Sequence, residues 1–333
     1  MEKLKCGVIG LGRLGYRHAS NIASGIANAS LVAASDVYQP SLDKLVGNFP
    51  TVKTYTDYKE LLKNDDIDAV IIATSTETHA EVLEAAIKSN KKVFCEKPLA
   101  TNIEDAVALT KLADKYGAFV QLGFMRRFDS AYVSAKNRID SGDLGKPISI
   151  LAIGRDPGCP PIEFAKKSGG LVSDMAVHDI DLTRWFFNCE AKEVFATGGV
   201  LRYPELGEIG DIDHCAITMT FENGGIAQLE VSRNANYGYD IRTEVICENG
   251  AAFVGKIKDD STLIFKDAKM ECKTVPGFLD RFEQAYLNEM QVFVDDVLNN
   301  KKQSSVGMED GLKAIMLIDA INKSIKTGKT VTV

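Results

Sequence analysis

The feature that most limits the fold is a short apolar run, Leu4 to Ile9, followed at once by Gly10-Leu11-Gly12-Arg13-Leu14-Gly15 and then by a helix-compatible stretch to about Ser24. The order is strand, glycine turn, helix. In such a turn the first glycine permits the tight bend, the second lets the backbone approach a pyrophosphate, and the third lets helix pack on strand. The helix N-terminus then offers free N–H groups to phosphate oxygens. A second apolar run, Leu31 to Ser35, ends in Asp36, 21 residues beyond Gly15. A carboxylate at that distance binds the adenosine ribose hydroxyls and repels a 2′-phosphate. Val37 and Tyr38 bring no compensating positive charge, so the pattern points to NAD rather than NADP, with Gly10 to Gly15, Asp36 and Val37 as contacts.

Further alternation follows, with helices around Ser41 to Val46 and Asp57 to Lys63, strand Asp68 to Ala73, helix Thr78 to Ser89, strand Lys92 to Cys95, helix Ile103 to Tyr116 and strand Phe119 to Leu122. Strands alternating with helices of this length argue a doubly wound parallel sheet, whose ligands lie beyond the carboxyl ends of the strands. The loops Thr74 to Thr78 and Glu96 to Ala100 are therefore expected to face the cofactor. Thr74, Ser75, Glu96 and Lys97 on these loops are candidate contacts, as are Ala73, His79 and Met125.

After a helix near Ala131 to Asp140 and a turn from Gly142 to Pro147, the pattern changes to consecutive strands: Ile148 to Arg155, Ala191 to Val200, Cys215 to Phe221, Ile226 to Ser232 and Arg242 to Cys247. Glu222-Asn223-Gly224-Gly225 reads as a hairpin turn. The expected fold is α/β, with a Rossmann domain over residues 1–122. An α+β domain with a large, open, mostly antiparallel sheet follows over 123–333, closed by helices near Arg281 to Leu298 and Glu309 to Ile325. A wide apolar sheet face does not stay exposed. Burial between subunits is one solution.

At 333 residues the chain exceeds one ordinary core, which supports two domains. A net charge of −7 with Lys and Arg spread along the chain opposes a nucleic-acid partner. No stretch approaches the ~20 apolar residues of a membrane span, and the apolar run near the start is short for a signal peptide. Seven scattered cysteines without a C-x-x-C pair read as free thiols in a reducing compartment, so a cytoplasmic location is expected.

Two groups of residues suggest chemistry. Glu96-Lys97-Pro98 follows the strand Lys92 to Cys95, which puts Lys97 at the carboxyl edge of the sheet, and the proline stiffens the turn that presents it. Gly169-Gly170-Leu171-Val172-Ser173-Asp174 leads into an expected helix on which Asp174 and His178, spaced i, i+4, share a face; Asp181 lies close to it. Histidine suits proton transfer near neutral pH, and a carboxylate one turn away orients it. Taken alone, such a pair is more often a cap with a satisfied hydrogen bond, and most lysines are solvated surface groups. The four histidines, His18, His79, His178 and His214, form no ligand motif, so no metal is expected.

In the combination and order of Gly10 to Gly15, Glu96-Lys97-Pro98 and Gly169-Gly170 with Asp174 and His178, the chain resembles the glucose-fructose oxidoreductase and inositol dehydrogenase family. Within that family it is most similar to the bacterial inositol 2-dehydrogenases. The similarity rests on Gly123-Phe124-Met125-Arg126-Arg127-Phe128-Asp129, Arg155-Asp156-Pro157, Asp174-Met175 with His178-Asp179, and Tyr237-Gly238-Tyr239-Asp240. The resemblance implies NAD-dependent oxidation of myo-inositol to 2-keto-myo-inositol by a homotetramer joined through the C-terminal sheet. It implies that His178 removes the hydroxyl proton as hydride leaves the same carbon for the nicotinamide, that Lys97 stabilises the developing alkoxide, and that Asp174 partners the histidine or the substrate. Arg127, Asp156 and Tyr237 are implied polyol contacts. The chain departs from some members by carrying Gly154 where they have a histidine, which bears on the role of Asp156. Other outcomes within the family are a dehydrogenase of scyllo-inositol or an aldose, or an NAD-dependent glycosidase. A non-catalytic dinucleotide sensor is a reading from a different class.

Overall fold

The glycine turn expected after Leu4–Ile9 (β1) is present in the computed structural model, which describes residues 3–333, and it feeds Arg13–Ser20 (α1). Gly10 has φ +90°, and a Cβ there would lie 2.6 Å from the Ala73 carbonyl oxygen. A Cβ on Gly15 would lie 1.9 Å from the Gly10 carbonyl oxygen. Both approaches are to backbone, which has no room to yield, so glycine is required at each. The chain then alternates through Ala29–Ser35 (β2), Gln39–Asn48 (α2), Lys53–Tyr55 (β3), Tyr58–Leu62 (α3), Ala69–Ile72 (β4), His79–Lys88 (α4), Lys92–Glu96 (β5), Ile103–Tyr116 (α5) and Val120–Gly123 (β6). The six strands form one parallel sheet in the order β3-β2-β1-β4-β5-β6. The direction of winding reverses between β1 and β4, the position where such sheets open a ligand crevice. All four residues of β4 are buried, as a parallel sheet covered on both faces requires.

Next come Ser130–Asp140 (α6), Pro147–Arg155 (β7), Ile162–Ala165 (α7), Val177–Phe187 (α8), Ala191–Gly199 (β8), Pro204–Glu208 (α9), His214–Phe221 (β9), Ile226–Ser232 (β10), Asp240–Cys247 (β11) and Ala251–Gly255 (β12). The small hairpin Ile264–Lys266 (β13) and Lys269–Glu271 (β14) follows. Phe278–Arg281 (α10), Glu283–Leu298 (α11), Met308–Thr327 (α12) and Val331–Thr332 (β15) complete the chain. Seven strands make the second sheet, in the order β12-β11-β7-β10-β9-β8-β15, antiparallel except for the β7–β10 pair. The Glu222 to Gly225 turn joins β9 to β10 as expected.

The structure differs from the sequence reading in where the units divide. One unit comprises the residues up to Met125 together with Gln284–Ile315; the other comprises Arg126–Glu283 and Met316–Val333. The expected boundary at 122 assigned everything beyond it to the second domain, yet most of α11 packs in the first. The reason is an apolar stripe: Phe293, fully buried, packs edge-on against Phe94 of β5 and tilted against Phe119, with ring centroids 5.9 and 6.0 Å apart. A backbone bond from Leu122 N–H to the Val306 carbonyl, at 2.9 Å, ties β6 to the same returning segment.

The seven cysteines are free thiols. Among the described residues no helix is long and apolar enough to cross a membrane.

Candidate active site

In the first unit the glycine turn leaves an open cradle. A Cβ built on Gly12 meets nothing within 4 Å, and Gly12, the N-cap of α1, brings no side chain to bond the helix's first N–H groups. Those N–H groups and the space above Gly12 fit a pyrophosphate. Asp36, just past β2, is fixed beside them: one carboxylate oxygen accepts the Leu11 N–H at 2.6 Å and the other the Tyr38 N–H at 2.8 Å. A carboxylate has about four acceptor sites, so two remain for ribose hydroxyls. Val37 and Tyr38 stand exposed beside it.

The loop after β4 and the loop after β5 are joined by His79. Its Nδ1 lies 2.7 Å from the Pro98 carbonyl oxygen and its Nε2 lies 3.2 Å from that of Thr74. Burial holds this imidazole below its ordinary pKa, against the two carbonyls that favour its cation. The neutral ring has one N–H to donate, and Pro98 is the closer acceptor. Thr78 adds a hydroxyl bond to Thr74 at 2.9 Å, while Ser75 stays exposed. His79 thus acts inside the protein, holding the loops that carry Ala73, Thr74, Ser75 and Lys97.

Glu96 also points inward. Its Oε1 lies 2.7 Å from Nε2 of His18 on α1, and its Oε2 accepts the Lys97 N–H at 3.3 Å. The group is buried, as is Met125. Lys97 is half-buried at the carboxyl edge of β5, where the sequence placed it.

In the second unit, Gly169 and Gly170 have φ +81° and +84°, a left-handed pair that lays the chain over Asp211, whose Oδ1 accepts the Leu171 N–H at 2.8 Å. Asp174 falls within a single wide turn, Val172–Ala176, hydrogen-bonded i to i+5, and the regular helix α8 starts only at Val177. The pair Asp174 and His178, expected on one regular helix, therefore spans the wide turn and the first turn of α8. Turns of this kind are frequent at functional sites. Asp174 has Nη1 of Arg233 at 3.4 Å, and Nη2 of the same guanidinium lies 3.8 Å from Asp211.

Arg127 forms a two-pronged pair with Asp181, Nε to Oδ2 at 2.8 Å and Nη2 to Oδ1 at 2.5 Å. The neighbouring Arg126 bonds Asp179 at 2.5 Å, both fully enclosed. A Cβ on Gly154 would lie 2.9 Å from Oδ2 of that aspartate, so a side chain there would press on the carboxylate that Arg126 holds. Asp156 is held by its backbone, N–H to Ser232 at 2.9 Å and carbonyl to the Ala235 N–H at 2.8 Å. The Tyr237 hydroxyl donates to Asp240 at 2.7 Å and accepts from Arg155 at 2.9 Å. Lys97 belongs to the first unit; Arg127, Asp156, Asp174, His178 and Tyr237 belong to the second.

Three buried groups beside these residues escaped the sequence reading. Arg233 is fully buried and continues the inward phase of β10, after Ala227, Leu229 and Val231. An arginine in that phase was the available signal. His18 lies among the buried positions of α1, and Glu289 among those of α11, between Tyr286, Met290 and Phe293.

Residues 4–124 match the model of an oxidoreductase family with an NAD-binding Rossmann fold, and residues 132–253 match the GFO/IDH/MocA C-terminal domain. A scyllo-inositol 2-dehydrogenase (NAD(+)) of Bacillus subtilis is 36% identical, over 94% of this chain and 93% of that protein. A myo-inositol 2-dehydrogenase of Thermotoga maritima is also 36% identical, over 98% of each. The crystal structure of scyllo-inositol dehydrogenase from Lactobacillus casei with bound NAD(H) and scyllo-inositol superposes with a TM-score of 0.93, at 34% identity over 99% of both chains. Because the glycine cradle, the Glu96-Lys97-Pro98 turn and the second sheet all sit within this full-length match, the chain belongs to the GFO/IDH/MocA family of NAD-binding oxidoreductases.

Proposed function

We propose that the protein oxidises myo-inositol to 2-keto-myo-inositol. What carries the reading is that one chain, similar along nearly its whole length to inositol dehydrogenases, holds Lys97 on a braced turn at the sheet edge, His178 at the start of α8 and Asp174 in the wide turn that leads into it. When bound, NAD supplies the acceptor for the electrons leaving the carbinol carbon. His178 takes the hydroxyl proton on a ring nitrogen. The Lys97 ammonium stabilises the negative charge that develops on the oxygen, an electrostatic role that needs a fixed donor rather than a mobile one. Glu96 and the His79 bridge fix its turn. Asp174, held by Arg233, orients His178 or a ring hydroxyl, and Arg127, Asp156 and Tyr237 bind the remaining hydroxyls.

A second reading, scyllo-inositol as the preferred isomer, is favoured by the names of the Bacillus subtilis and Lactobacillus casei relatives. The two isomers differ at one carbon, and a six-membered ring enters a site in several rotations. We further infer a homotetramer built on the open face of the seven-stranded sheet. Leu151, Phe195, Ile226, Ile246 and Phe253 project from that face, each at least 39% exposed, on the side opposite the buried positions. Apolar side chains ranged along one sheet face are more often an interface than a wetted surface.

Lys97→Ala and His178→Ala should each lower kcat by about 10²–10⁴-fold with NAD affinity nearly unchanged, since both act on the carbinol. A near-normal kcat in either variant removes that residue from the mechanism. The Asp36 carboxylate should make kcat/KM higher for NAD than for NADP, and Asp36→Ser should narrow the gap. Equal use of the two cofactors by the unaltered protein would mean that Asp36 does not read the ribose. In a polyol panel, myo-inositol should give the highest kcat/KM, and simple alcohols should fail because they leave the site's polar groups unpaired. A tenfold preference for scyllo-inositol or a pyranose would overturn the assigned substrate.

A further inference from the structure

We propose that Glu289 carries a proton and donates it to Glu96, which makes Glu289 a positioning residue for the turn that presents Lys97. Its bearing on Lys97 rests on the function proposed above; the protonation itself does not.

Glu289 is fully buried on the apolar stripe of α11, and among the described residues neither carboxyl oxygen has a hydrogen-bond donor. Its ligand-type atom lies with those of Glu96 and His18 in a group no more than 4.8 Å across. The ionisable groups facing it are Glu96 from β5 and His18 from α1. Tyr286 stands one turn back on its own helix, its ring 5.9 Å from that of His18. Gln121 from β6 bonds the Glu289 backbone carbonyl at 3.1 Å and leaves the carboxyl alone.

Two buried carboxylates this close do not both ionise, so one holds a proton. The one N–H of a neutral His18 belongs on Nε2, since Nδ1 has no partner among the described residues, so Glu96 accepts on both oxygens, from His18 at 2.7 Å and from the Lys97 N–H at 3.3 Å. A second proton on His18 would sit on Nδ1, which has no acceptor among the described residues. Glu289 is the group that a proton completes, because the hydroxyl so formed faces the Glu96 carboxylate within the same group of atoms no more than 4.8 Å across. Burial, and then the charge of Glu96, push Glu289 well above the ordinary carboxyl range, in agreement with the geometry. The result is a Glu96 carboxylate bonded by His18 of α1 and faced by the Glu289 hydroxyl of α11. A Cβ on Gly123 would lie 2.6 Å from its Oε2, so that carboxylate is also boxed in sterically. Its remaining bond is the one to Lys97.

The unfolded chain releases this proton near 4.5, whereas the folded chain keeps it. The stability that protonation confers is therefore complete below about pH 4.5 and is lost as pH rises toward the raised folded value. Glutamine keeps the shape and a donor but has no proton to release. Glu289→Gln should thus gain stability relative to the unaltered protein as pH is raised from 4.5 to 8, read as a difference in Tm that grows with pH. Infrared difference spectra between the two should show a protonated carboxyl C=O band absent from the variant. Glu289→Leu, which removes the donor, should lower kcat at least tenfold with KM for NAD little changed, and Glu289→Gln should recover most of that loss. The protonation is overturned if Glu289→Gln is the less stable form at pH 8, if no carboxyl band disappears, or if the purified protein holds a stoichiometric divalent ion that the variant lacks. The link to Lys97 is overturned if Glu289→Leu keeps full kcat.

Discussion

The first unit depends on one close approach, the Gly15 α-carbon against the Gly10 carbonyl, which brings α1 down onto β1. From it come the placing of the first helix N–H groups at the Gly12 cradle and the depth at which His18, one turn further along α1, reaches Glu96. Glu96 in turn holds the Lys97 N–H. The glycine turn with its open cradle and the turn that carries Lys97 are thus linked through one packed contact. His79 adds a second brace through the carbonyls of Thr74 and Pro98. Both histidines are buried, His79 meeting a carbonyl with each ring nitrogen and His18 meeting Glu96 with Nε2.

In the second unit, ordering is by buried charge. Arg126 with Asp179, Arg127 with Asp181, and Arg233 with Asp174 and Asp211 pair three guanidiniums with four carboxylates around α8 and the strand ends. Such pairs add little net stability over apolar packing, but removal of one partner strands the other in a low-dielectric interior. Their contribution is direction: each carboxylate has one orientation that its guanidinium accepts. Gly154 belongs to this arrangement, because a side chain there would collide with Asp179.

Features encoded locally were legible from the sequence. The glycine turn, the Asp36 position and α5 were all readable. α5 is bounded by Asn102, whose side chain accepts the Asp105 N–H at 2.8 Å, and by Gly117 in the left-handed region at φ 57°, as cap chemistry dictates. What the sequence hid was set by contacts between distant segments. The return of α11 to the first unit depends on Phe293 meeting Phe94 and Phe119, which no local period reveals. β3, only Lys53–Tyr55, has no apolar pattern and is a strand because β2 offers an edge. The wide turn at Asp174 has no composition of its own. Arg233 and Glu289 left a trace, a charged residue in an inward phase, whose meaning appears only with the partner in view.

The central claim is that the protein moves hydride from a ring carbinol to NAD, with His178 taking the proton and Lys97 stabilising the oxygen. The most direct measurement supplies myo-inositol bearing deuterium on every ring carbon together with NAD, then examines the nicotinamide product by mass spectrometry. The account predicts NADH carrying one deuterium for each inosose formed. NADH without deuterium, or inositol recovered unchanged with no NADH, would contradict it.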